Sequence, residues 1–192
     1  MLRIGTGVMG LPMCGHLVKA SYSVKLWARS PSSVLLEQYS GKMVQSPSEL
    51  ASQSDVVFTI VGGPKDVESV IVGKQGVLEG MSPDGIIVDM STSSPELAVE
   101  IFNEAKERKV HALDIPVSGG DVGAREAKLS MMAGGDSRPL KRIFPILKHL
   151  GPRIVHVGEA GAWKHTNMGN QILVAAGMIG LVEALCYAKK AH

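Results

Sequence analysis

The run Gly5-Thr6-Gly7-Val8-Met9-Gly10 carries the spacing Gly-x-Gly-x-x-Gly. A short apolar strand, Leu2-Arg3-Ile4, leads into it, a helix is expected from Met9 to Ala20, and Val24-Lys25-Leu26-Trp27 reads as the next parallel strand. In that order each glycine has a physical task. Gly5 lets the chain turn sharply off the strand, and Gly7 lets backbone amides approach a pyrophosphate. Gly10 lets the helix pack tightly on the sheet with its positive end toward the phosphates. With 22 glycines in 192 residues the pattern alone carries little, so the flanking elements decide it. Residues 5–10, including Val8 and Met9, are read as a dinucleotide cradle.

The end of the second strand then selects the nucleotide. An NAD site usually places an acid about 20 residues after the glycines to hold the ribose hydroxyls. Here that place holds Ala28-Arg29-Ser30. Arg29 offers a planar cation and Ser30 a hydroxyl, which suit a 2′-phosphate. NADP is therefore expected, with NAD still possible.

These residues need a scaffold. Asp55 to Val61 is an apolar run of the kind buried on both faces of a parallel sheet, ending in Gly62-Gly63-Pro64 at a carboxyl edge, where open α/β sheets bind ligands. Ile86-Ile87-Val88-Asp89 is the next such strand, followed by the hydroxyl cluster Ser91-Thr92-Ser93-Ser94. That cluster is either turn and cap chemistry or a place where Thr92 meets the cofactor. Ser46-Pro47 and Ser94-Pro95 each read as a helix cap followed by proline at the first helical position. Further helices are expected at Ser32–Tyr39, Pro64–Val72, Pro95–Lys109 and Ser137–Leu150, the last broken or kinked at Pro145. Its apolar face is Leu140, Ile143, Phe144, Leu147 and Leu150. Further strands are expected at Met43-Val44, Val110–Ile115, Ala127–Met132 and Arg153–Val157, before one long helix from Trp163 to Lys190. Strands alternating with helices predict an α/β fold, a doubly wound Rossmann-type parallel sheet. Residues 1–160 form the dinucleotide-binding domain, and 161–192 an interdomain helix opening a further helical domain.

Composition removes other classes. Hydrophobic residues make up 45%, enough for a core, and aliphatics with ten methionines must fill it because aromatics are scarce. A formal charge of +2 with dispersed cations gives no case for nucleic acid. Cys14 and Cys186 fit neither a metal spacing nor a disulfide frame, which suggests a soluble protein of a reducing compartment. The six histidines show no paired ligand spacing, so no metal is expected. The apolar run Ile172–Leu185, interrupted by glycines and a glutamate, reads as too short to span a bilayer. Gly177, Gly180 and many alanines make the last helix apolar on more than one side. It is expected to pack against something beyond the sheet: a second copy in a homodimer, together with elements absent from a truncated chain.

Assembled, these segments resemble the β-hydroxyacid dehydrogenases, the family of 3-hydroxyisobutyrate dehydrogenase and glyoxylate/succinic semialdehyde reductase. The motifs that carry the likeness are Ile4 to Met13, Asp89-Met90-Ser91-Thr92-Ser93, Asp114-Ile115-Pro116-Val117-Ser118-Gly119-Gly120, and Gly158-Glu159-Ala160-Gly161 through Asn170-Gln171. The resemblance implies an NAD(P)-dependent oxidoreductase that interconverts a small 3-hydroxy acid, or a short aldehyde acid, with its carbonyl partner. Ser118, Gly119 and Gly120 would hold the substrate carboxylate, with Asn170 and Gln171 beside them. Val61 and Gly62 would line the nicotinamide ribose, and Asp66 and Thr92 would lie near the cofactor. One position departs from the family: its general-base lysine is Asn167 here, and an amide cannot take up a hydroxyl proton. Lys164, one helical turn earlier and roughly 4.5 Å along the axis, is the alternative base. Trp163 stands where the family has glycine and is expected to crowd the helix start near the cofactor. The competing expectations are a nucleotide-binding protein with impaired catalysis and a purely structural dimer subunit.

Overall fold

In the computed structural model, residues 2–5, 7–30 and 43–191 are described, without the side chains of residues 2–4, 164, 165, 167 and 168. The helix expected at Ser32–Tyr39 lies outside the described residues. The first five strands, β1 (Leu2–Ile4), β2 (Lys25–Trp27), β3 (Val56–Thr59), β4 (Ile86–Asp89) and β5 (His111–Asp114), are all parallel. Their order is β2-β1-β3-β4-β5, and a parallel bridge from Leu26 to Met43 extends the β2 edge. The chain thus winds outward from β1 in one direction, then returns to β1 with β3 and continues in the other. The crevice beyond β1 and β3 is therefore the switch point, the place where such sheets bind ligands.

Side-chain alternation divides the core into two layers. Phe58, Val88 and Leu113 face one layer with Met13, Cys14 and Leu17 of α1 (Gly10–Lys19), whereas Val57, Ile87 and Ala112 face the other. The second layer is closed by α2 (Pro47–Ser52), α3 (Pro64–Ile71), α4 (Val77–Gly80) and α5 (Pro95–Glu107). The expected caps form: Ser46 Oγ accepts from Glu49 N at 3.0 Å and Ser94 Oγ from Leu97 N at 3.1 Å, with proline next in both helices. These caps fix where α2 and α5 start against the sheet.

The far edge departs from the parallel pattern. After β5 come β6 (Val117–Ser118), α6 (Gly120–Arg125), β7 (Ser130–Gly134), α7 (Ser137–Leu147) and β8 (Arg153–Gly158). β7 runs antiparallel to β5 and β6 and parallel to β8. α7 continues through Pro145, which is exposed near its end, so the expected break is absent. Phe144 is 36% exposed rather than part of the buried stripe, which consists of Leu140, Ile143, Leu147 and Leu150.

The last helix, α8 (Trp163–Ala191), begins against β7 and β8, and residues 171–191 are all exposed. Gly169–Ala191 is a 23-residue helical stretch whose most apolar 18 residues have a mean hydropathy of 1.7, long and apolar enough by composition to cross a membrane. Cys14 is buried in α1 and Cys186 is exposed on α8, and they are not joined.

Candidate functional site

The turn between β1 and α1 is too tight for any residue but glycine at two places. Gly5 has φ +89°, and a Cβ there would lie 1.9 Å from the Ile60 carbonyl oxygen. A Cβ on Gly10 would lie 2.0 Å from the Gly5 carbonyl oxygen. The β1 turn, the start of α1 and the end of β3 are therefore in direct backbone contact, which only hydrogen side chains permit. Gly7 is different: a Cβ there meets nothing within 4 Å, so its backbone borders open space. No side chain caps α1, and its first turn carries no acid. Its first amides are left for an anion, as the helix dipole favours.

This open space is a cleft of about 600 Å³. It gathers Gly5, Gly7, Val8, Met9, Gly10, Arg29, Ser30, Val61, Gly62 and Asp66, all of them sequence candidates for the cofactor. Thr92 is exposed and is not among the lining residues. The hydroxyl that reaches the cleft wall is Ser91 instead. Its Oγ accepts from Val61 N at 2.9 Å, and its own N–H donates to Asp89 Oδ1 at 3.1 Å. Thr59 Oγ1 donates to the same carboxylate oxygen at 2.6 Å. Buried Asp89 thereby fixes the Val61–Gly62 loop through Ser91. Burial pushes the Asp89 carboxyl above its ordinary pKa, and the Thr59 and Ser91 hydrogen bonds oppose that shift.

The sequence reading also missed Ser69 and Trp27 in the wall. Ser69 stands three residues after Asp66 on α3, so helical spacing could have found it. The Trp27 indole N–H donates to the Gln45 carbonyl at 3.2 Å, which turns the ring along the cleft edge. Arg29 Nη1 lies 2.8 Å from Asp66 Oδ1, closing the cleft mouth with an ion pair.

Ser118, Gly119 and Gly120 follow β5 at the same carboxyl edge, are all exposed, and lead into α6. His16 of α1 holds that helix: its Nε2 lies 3.0 Å from both the Ala124 and Arg125 carbonyl oxygens. Asn170 is half-buried and Gln171 exposed on α8. Both Ser118, through its pairing with Ser130, and the start of α8 are seated on β7. The side chains of Lys164 and Asn167 lie outside the described residues.

Trp163 does not crowd the cofactor cleft. It is only 2% exposed, packed into the interior beside Asp114, and its indole N–H faces that carboxylate without reaching hydrogen-bond geometry. Asp114 sits opposite Asp89 in the β4–β5 register and accepts from Gly161 N at 3.2 Å. Burial raises its carboxyl to about pH 7, with the Gly161 N–H opposing and the neighbouring Asp89 adding to the rise. Asp114 thus ties the end of β5 to the turn that starts α8.

Residues 2–158 match the model of the NAD binding domain of 6-phosphogluconate dehydrogenase. The chain belongs to this family. It is 47% identical over 189 residues to the Arabidopsis thaliana protein named probable 3-hydroxyisobutyrate dehydrogenase-like 2, mitochondrial, covering 98% of this chain and 63% of that one. To the 2-hydroxy-3-oxopropionate reductase of Escherichia coli it is 35% identical, over 98% of this chain and 63% of the relative. The solved 3-hydroxyisobutyrate dehydrogenase of Mycobacterium tuberculosis, with L-serine, superposes with a TM-score of 0.89 at 31% identity, covering 98% of this chain and 64% of that structure. The chain thus spans just under two thirds of the length of these relatives. The expected α/β Rossmann-type fold followed by a long helix, and the likeness to hydroxyacid dehydrogenases, both stand.

Proposed function

We propose that the chain is the cofactor-binding part of an NAD(P)-dependent oxidoreductase acting on a small 3-hydroxy acid or aldehyde acid, with NADP preferred. The observation that carries this reading is the switch-point cleft, where the uncapped end of α1 and the open backbone at Gly7 face the same space as Arg29 and Ser30. The amides of Val8, Met9 and Gly10 would hold the pyrophosphate, and Arg29 with Ser30 the 2′-phosphate. Val61 and Gly62, held by Ser91 and Asp89, would support the nicotinamide ribose. When bound, the nicotinamide supplies or accepts the hydride.

The chain's own part in the reaction is to place the substrate. Ser118 would donate its hydroxyl, and Gly119 and Gly120 their amides, to the substrate carboxylate. Asn170 and Gln171 would complete that side from α8. The names of the relatives support this class: 3-hydroxyisobutyrate and L-serine each combine a carboxylate with a hydroxyl on the third carbon. The exposed length of α8 fits an interdomain helix covered in a homodimer, and the word mitochondrial in the names of three relatives favours an organelle.

A second reading is favoured by one residue. Where the resemblance places a lysine, the chain has Asn167, which cannot act as a base, so the protein would bind dinucleotide with impaired turnover; loss of a positioned base costs about 10²–10⁴ in rate. The experiment is Asn167→Lys in a chain extended by a helical domain, assayed by NADPH oxidation against glyoxylate and by NADP+ reduction with 3-hydroxyisobutyrate. A gain in turnover supports the enzyme reading with Asn167 as its defect. Background rates with NADP still bound would refute the catalytic assignment of this site.

A further inference from the structure

Arg29 follows β2, and Asp66 stands in the first turn of α3, 37 residues later. Their side chains meet at the mouth of the cleft, Arg29 Nη1 donating to Asp66 Oδ1 at 2.8 Å. The other carboxylate oxygen folds back over the loop: a Cβ on Gly62 would lie 2.8 Å from Asp66 Oδ2. Among the described residues that line the cleft, Arg29 is the one cation and Asp66 the one anion. The one cation among the described lining residues is therefore already engaged by a carboxylate of the same protein.

The two cofactors meet this pair differently. NAD has no 2′-phosphate and can bind with the Arg29–Asp66 contact intact, its ribose hydroxyls facing a carboxylate acceptor. Such an acceptor normally comes from the end of the second strand; here it arrives from α3. NADP must draw Arg29 away from Asp66 and then place a dianion beside the released carboxylate, and like charges in contact oppose binding. The Arg29 side chain is 78% exposed, so it has room to turn between the two anions.

We propose that Asp66 is a specificity-determining residue: by competing with the 2′-phosphate for Arg29, it limits the preference for NADP and keeps NAD admissible. This rests on the reading of the cleft as a dinucleotide site with Arg29 at the adenosine ribose.

The test measures dissociation constants for NADP+ and NAD+ by isothermal titration at fixed ionic strength. The proteins are the wild-type chain, Asp66→Asn, Asp66→Ala, Arg29→Ala and the double variant Arg29→Ala/Asp66→Asn. Circular dichroism checks the fold of each. The ratio of the NAD+ to the NADP+ dissociation constant should rise about tenfold or more in Asp66→Asn, mainly through tighter NADP+ binding. Asp66→Ala should move it in the same direction. Without Arg29 the same Asp66→Asn change should shift the ratio far less. An unchanged ratio in both Asp66 variants while both nucleotides bind would overturn the proposal and leave the cleft reading intact. An equal shift in the absence of Arg29 would overturn the competition. Failure of both nucleotides to bind the wild-type chain would refute the cleft reading itself and this proposal with it, whereas NADP+ binding without NAD+ binding would overturn the proposal alone.

Discussion

Replacing Asp114 by asparagine should change the pH dependence of stability, in a direction set by the burial of its carboxyl. Asp114 is 7% exposed, and burial raises its carboxyl from an ordinary 3.8 to about 7. Between those two values the folded chain keeps a proton that the unfolded chain has released. Stability from this group is therefore full below about pH 4 and lost as the pH rises toward 7. A gap of about three units corresponds to roughly 4 kcal/mol, a large share of a typical domain's 5–15 kcal/mol. Asparagine keeps an oxygen for the Gly161 N–H and carries no charge. The difference in unfolding free energy, Asp114→Asn minus wild type, should thus move in favour of the variant from about pH 4 to about pH 7, then level off. Urea unfolding at a series of pH values reads it, followed by the fluorescence of Trp163 beside the carboxylate. Parallel pH profiles for the two proteins would refute the claim that Asp114 is buried and proton-loaded in the folded chain.

Other outcomes follow from single contacts. Gly10→Ala puts a methyl 2.0 Å from the Gly5 carbonyl oxygen, so it should abolish nucleotide binding and lower stability by about 2 kcal/mol or more, read by titration and thermal melting. Ser91→Ala strips the Val61 N–H of its acceptor and should cost about 1–3 kcal/mol of stability. The same change should weaken cofactor binding through the freed Val61–Gly62 loop, while the Arg29–Asp66 pair stays in place. Asp84 is held below its ordinary pKa by the hydrogen bond from His111 and the charge of Arg142. Its stabilisation is present above about pH 4 and lost as the pH falls, so the melting-temperature gap between wild type and Asp84→Asn should close at low pH.

The parallel half of the fold was legible because its signals are local. Strand β4 lies at Ile86–Asp89 as read, and both Ser-Pro caps form, since an apolar run and a capping hydroxyl act within a few residues. The shortest elements and the antiparallel edge were less so. α4 and α6 are too short to show a helical period. β7 was read as Ala127–Met132 but begins at Ser130, because Ala127 adopts φ +54° in the turn that closes α6, and alanine gives no sign of such a turn. The glycine cradle and Arg29 were readable as a pattern. The Arg29–Asp66 pair and the Asp89–Ser91–Val61 chain were not, since each joins residues 30 or more apart that only the sheet order brings together. Thr92 was chosen from a run of hydroxyls in which sequence alone gives no direction for any side chain.

The central claim is that the cleft beyond β1 and β3 holds a phosphorylated dinucleotide, with its phosphates at the start of α1 and its 2′-phosphate at Arg29. Titrating the chain with NADPH while following the nucleotide's own fluorescence tests it most directly. The account predicts saturable binding to one site per chain, weakened by Arg29→Ala and lost in Gly10→Ala; a signal that never saturates, or is the same in all three proteins, would contradict it.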